Sequence, residues 1–138
     1  MKALHVLSIA ILVVNVASVA SAQRGMRRGG NYNVSTETTL MGTVDNVATI
    51  ASERRGGGQH ITLITASGPI EVHVGPAWYV SSKHVTFTKG DQVTVVGSKV
   101  TMDSRDVMLA REIRKGDQVL KLRDASGVPL WARGRGTQ

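Results

Sequence analysis

From residue 37 onward, apolar and polar positions alternate with a period of two, the signature of half-buried β-strands. Leu40, Gly42, Val44, Asn46, Ala48 and Ile50 share one face of a long first strand, with Thr39, Thr43, Asp45 and Thr49 opposite. Glycine inside such a strand marks a bend or bulge, so Gly42 is expected to coil this strand across two sides of a barrel. A second strand turns Ile61 and Leu63 inward, and Ala66-Ser67-Gly68-Pro69 is a turn signal. The third strand puts Ile70, Val72 and Val74 on one face and Glu71 and His73 on the other, completing a hairpin. Gly75-Pro76 ends it, and Pro76 suits the first turn of a short helix carrying Ala77, Trp78, Tyr79 and Val80.

Lys89-Gly90-Asp91 leads into a fourth strand, Gln92 to Met102, where Val93 and Val95 alternate before Gly97 permits another bend. After a polar turn at Asp103 to Asp106, the fifth strand runs from Val107 to Arg114. Val107, Leu109 and Ile113 share its inner face, and Arg111 falls in the same register, which requires either a bulge or exposure at the rim. Beyond Lys115-Gly116-Asp117, a short strand from Val119 to Arg123 turns Leu120 and Leu122 inward. Ala125-Ser126-Gly127 turns the chain again, and Val128 to Trp131 closes it. Turn signals every ~8–12 residues, with no long 3.6-period segment, predict an all-β sandwich or barrel. Trp78, with Gly75 and Pro76, is expected to cap the barrel end, and Trp131 to pack beneath the last hairpin.

The segment ahead of the strands changes the compartment. Lys2, the apolar run containing Ala10 to Val14, and Ala20-Ser21-Ala22 have the layout of a cleaved signal peptide over residues 1–22. Ser8 and Asn15 interrupt the run, so a permanent membrane span is the lesser reading. A periplasmic or secreted protein is expected. Residues 23–36 are Gly-rich, basic and aperiodic, and predict a disordered arm; residues 133–138 form an Arg-Gly tail. One domain, residues 37–132, remains between them. The chain has no cysteine, which excludes thiol catalysis, iron–sulfur clusters, Cys-based zinc sites and disulfide staples.

Five strands, a Gly-centred bend in the first and a short helix between the third and fourth are the layout of the OB-fold barrel. Gly42-Thr43-Val44, Gly68-Pro69-Ile70-Glu71-Val72-His73-Val74 leading to Trp78, and Gly90-Asp91-Gln92-Val93-Thr94-Val95-Val96-Gly97-Ser98-Lys99-Val100 narrow it further. Together they resemble the small exported bacterial OB-fold proteins related to the stress-induced periplasmic OB-fold family, over residues 37 to 115. Leu120 to Trp131 resembles an added hairpin in a subgroup loosely labelled DNA-binding. The resemblance implies an OB-fold-like five-stranded barrel with a C-terminal β-hairpin and an envelope location. It implies no reaction.

Charge and side-chain chemistry then separate three kinds of ligand. The formal charge is +7, and only Lys2 of that surplus lies in the leader. An exported, non-enzymatic module engaging an anionic surface or acidic partner protein is the leading expectation. Its binding residues would be Arg111, Arg114, Lys115, Lys121 and Arg123, with Arg54 and Arg55 on a Gly-rich loop. Single-stranded nucleic acid is the alternative partner, but Tyr32, Trp78, Tyr79, Phe87 and Trp131 do not alternate along strands 2 and 3 as a stacking platform would. No cofactor is expected. A soft-metal (copper) carrier is the third reading, with His73, Met102 and Met108 as ligands, the two methionines flanking the turn between strands 4 and 5. No Gly-x-Ser-x-Gly or His-Glu-x-x-His motif is present, and the carboxylates fall mainly at turns, so an enzyme is not expected.

Overall fold

The computed structural model describes residues 31–51 and 57–135. The leader, the arm up to residue 30, Arg54, Arg55 and the last three residues lie outside them. The chain forms β1 (Glu37–Ile50), β2 (Gly58–Thr65), β3 (Gly68–Pro76), α1 (Ala77–Ser82), β4 (Gln92–Met102), β5 (Arg105–Lys115) and β6 (Gln118–Lys121). Neighbours run β3-β2-β1-β4-β5-β6, and a parallel β3–β5 pairing closes the first five strands into an OB-fold barrel. Closure removes the open edges that an isolated five-stranded sheet would leave unpaired. No described helix is long and apolar enough to cross a membrane.

The long first strand serves both sides of the barrel, as expected. Residues 37–43 pair with β4, and residues 42–50 pair with β2. Its inward phase differs from simple alternation, however. The register slips between Val44 and Asn46, so Val47 packs against the core while Asn46 and Ile50 face outward. An extra residue in one strand shifts every later side chain to the other face. The same device settles Arg111. Ladder pairs jump from Val96↔Glu112 to Gly97↔Ala110, leaving Arg111 as the bulged residue. Its free carbonyl accepts the backbone N–H groups of Leu122 and Arg123 at 2.8 and 3.1 Å, which ties the C-terminal segment to β5.

The interior is filled by the aliphatic side chains the alternation selects, among them Val44, Ile61, Leu63, Val72, Val74, Val95 and Ile113. α1 closes one end through Tyr79 and Val80. Trp78 is not the plug; it is 50% exposed and meets Tyr79 edge-on. The ring seated on Gly75 is that of Trp131, so close that a Cβ on Gly75 would stand 3.0 Å from it. A helix only six residues long can turn one aromatic inward, and here that position falls to Tyr79.

One further expectation is corrected. The arm is folded from Tyr32 onward: Tyr32 is buried, its hydroxyl donates to Glu37 at 2.6 Å, and Val34–Thr36 form a 3-10 turn. Burial of one large aromatic offsets the ordering entropy of a short polar segment. The added C-terminal hairpin is present, with β6 antiparallel to β5, followed by a single bridge between Arg123 and Pro129 and a 3-10 turn over Leu130–Arg135. Leu120 and Leu122 are buried as their alternation requires.

Candidate metal centre on the β2–β3 face

The tight turn at Ala66-Ser67 sets the pairing of β2 with β3: Thr65 faces Gly68, Thr62 faces Glu71 and His60 faces His73. With Ile61, Leu63, Val72 and Val74 turned inward, the intervening residues face out. Directly opposed residues stand close enough for their side chains to touch, and the His60 and His73 rings stack with centroids 4.0 Å apart and planes 20° apart. Glu71, two residues before His73, shares its face. One carboxylate oxygen, Oε1, is 2.8 Å from His60 Nδ1 and 2.9 Å from His73 Nε2. All three donor atoms lie within 4.8 Å of one another, and all three residues are partly buried.

Burial alone would raise the Glu71 carboxyl, but its hydrogen bonds to His60 and His73 outweigh that and hold it below the usual carboxylate range. The ionised carboxylate only accepts, so each ring donates an N–H to it. Burial, aided by repulsion from His60, pushes His73 down and outweighs the opposing pull of Glu71. A neutral imidazole has one lone-pair nitrogen, and ligation through His60 Nδ1 and His73 Nε2 requires each ring proton to shift to the other nitrogen as an ion replaces the hydrogen bond to Glu71. Beside the rings lies a cavity of about 240 Å³ walled by Gly57, Gly58, Gln59, Gly75 and Pro76. Gln59 Oε1, on that wall, is buried without a hydrogen-bond partner among the described residues.

The other anticipated residues are distributed differently. Arg111 donates to Glu37 at 2.8 Å, Arg114 to Glu112 at 2.7 Å, and Lys115 to Asp91 at 2.9 Å and the Thr86 carbonyl at 2.6 Å. Arg123 lies between the Tyr32 and Trp131 rings, 5.2 and 5.4 Å from their centroids, and donates to the Gly127 carbonyl. Lys121 is exposed. The structure thus spends four of these five cations on partners within the chain. The soft-metal set is not assembled either: Met108 is wholly buried in the core, whereas His73 is on the outer face. His60 and Glu71 are the candidate donors that same-strand spacing did not bring to His73. The signal was available in the two-residue turn, because once Thr65 faces Gly68 the count back along the hairpin sets His60 against His73.

The model of the MamS/MamX magnetosome protein family matches residues 36–120. No curated protein matches the chain significantly. Among solved structures, the chain is similar to the second single-stranded DNA binding protein of Mycobacterium smegmatis at 20% identity, over 64% of this chain and 99% of that one, with a TM-score of 0.46. It is similar to the Stn1–Ten1 complex of S. pombe at 14% identity, over 59% of each chain, with a TM-score of 0.47. The N-terminal domain of PriB from Thermoanaerobacter tencongensis is 12% identical over 61% of this chain and 99% of that one, with a TM-score of 0.44. The resemblance read from the sequence is met at the level of the OB-fold.

Proposed function

The chain belongs to the MamS/MamX magnetosome protein family, and on that premise we propose that it is an exported, non-enzymatic binding module taking one divalent first-row transition metal ion at His60, Glu71 and His73. The convergence of two imidazole nitrogens on a single carboxylate oxygen, on an outward sheet face, carries this reading. Two histidines and a carboxylate are donors suited to Zn²⁺, Fe²⁺ or Co²⁺, whereas Mg²⁺ and Ca²⁺ prefer oxygen alone. The ion is a ligand of the fold rather than its staple, because the apolar interior is complete without it. Besides the histidines, the cavity is walled by glycines, a proline and an amide, with no nucleophile, which favours binding over catalysis. The export part of the proposal rests on the leader at residues 1–22.

Titration of the tag-free protein with Co²⁺, followed by its visible d–d absorption, tests the proposal. One equivalent should bind saturably. His60→Ala, His73→Ala or Glu71→Gln should each weaken uptake by about a hundredfold, and Met102→Leu should leave it unchanged. Absence of saturable uptake, or uptake indifferent to His73→Ala, overturns the assignment.

A further inference from the structure

We infer that the metal centre is one half of a ternary site, in which a small oxyanion, carboxylate or phosphate, completes the coordination of the ion and is held at its other end by Arg105. This inference rests on the metal reading and names the ligand class that the loaded site takes. Three protein donors leave at least one position open on an ion that takes four to six. Among the cavities near the cluster is a second one of about 440 Å³, lined by Thr62, Ile70, Glu71, Arg105 and Asp106. Glu71 belongs to both the metal cluster and this cavity, so the two are contiguous.

Arg105 is set for such a role by its element. It opens β5 after a turn in which Asp103 and Ser104 both have left-handed φ angles, 50° and 63°. Consecutive left-handed residues are the mark of the tight hairpin turn whose twist matches its strands, so the β4–β5 tip is defined rather than loose. Among the described residues Arg105 forms no salt bridge and no side-chain hydrogen bond. Asp106, the nearest acid on the strand, accepts from the Thr101 hydroxyl at 3.0 Å.

Charge decides the order of binding. Without an ion, the Glu71 and Asp106 carboxylates outweigh the single Arg105 guanidinium, and an anion is disfavoured from entering. A divalent ion turns the face cationic, and the guanidinium fork then matches a planar or tetrahedral oxyanion. Anion and metal therefore bind with positive coupling, and each raises the affinity of the other by the same factor.

The test uses Co²⁺-loaded protein freed of excess metal, titrated separately with acetate and inorganic phosphate. The d–d spectrum should shift saturably with at least one of them, and the responding arm names the source of the oxyanion. Arg105→Gln should weaken that response about tenfold, the loss expected for one charged hydrogen bond, while Co²⁺ uptake stays unchanged. Normal Co²⁺ uptake with no anion response, or a response indifferent to Arg105→Gln, overturns this inference and leaves the metal site standing. Failure of Co²⁺ uptake in the parent protein overturns both.

Discussion

Asp91 illustrates how one side chain at a strand entrance ties distant segments together. Its Oδ2 accepts from Lys115 at 2.9 Å and from the Thr88 backbone N–H at 2.8 Å, so the start of β4 is joined to the end of β5. The Lys115 hydrogen bond, then the Thr88 N–H, hold its carboxyl below the ordinary value of 3.8. A carboxylate depressed in the folded state stabilises the fold above its unfolded pKa, and that contribution is lost as pH falls through the folded one. Asp91→Asn should therefore lower the urea midpoint at pH 7, with parent and variant converging as pH drops below 3.8 toward the depressed value. Equal separation of the two midpoints at both pH extremes would show that the charge is not the cause. The turn role of Asp91 was readable from Lys89-Gly90-Asp91, because Gly-Asp pairs terminate strands by local chemistry. Its partner Lys115, 24 residues on, was not, and a residue expected to meet an external anion is instead engaged inside the chain.

At the scale of elements, bulges and turns decide which faces meet. Gly97 stands opposite the bulged Arg111, where β4 passes so near β5 that an added Cβ would press on the Leu109 carbonyl and lie 3.0 Å from the Ala110 Cα. Gly97→Ala should cost about 1–3 kcal/mol, the usual penalty for overpacking, read as a lowered denaturant midpoint with an unchanged slope. Gly116→Ala would not serve as a control because its φ is +57°; Thr94→Ala, elsewhere on β4, isolates the steric term. The sequence located this bend, since glycine inside an alternating run has few other uses. It left open whether Arg111 bulged or reached the rim, because that depends on the neighbour across the ladder. The β1 slip at Val44 to Asn46 carries no residue signal at all, and Val47 exchanged faces with Asn46 unannounced.

For the molecule as a whole, the decisive property is that the barrel brings His60 to His73 only when folded. An ion held by donors on two strands binds the native state and not the unfolded chain. Stability should therefore rise with Co²⁺, by about 2.7 kcal/mol at a hundredfold excess over the dissociation constant. Denaturation with and without Co²⁺ checks this: the gain should appear in the parent protein and vanish in His73→Ala. A gain of equal size in the variant would place the ion elsewhere. The all-β class, most of the buried aliphatic set and the short helix after Pro76 were legible in local alternation and turn chemistry, while the barrel was expected from the likeness of the strand and helix layout to the OB-fold. The His60–His73 opposition follows from the hairpin turn, but which cavities border that face was decided by tertiary structure. The parallel β3–β5 pairing that closes the barrel brings Arg105 to the cavity bordered by Glu71, and that pairing depends on hydrogen bonds between segments that local patterning leaves independent.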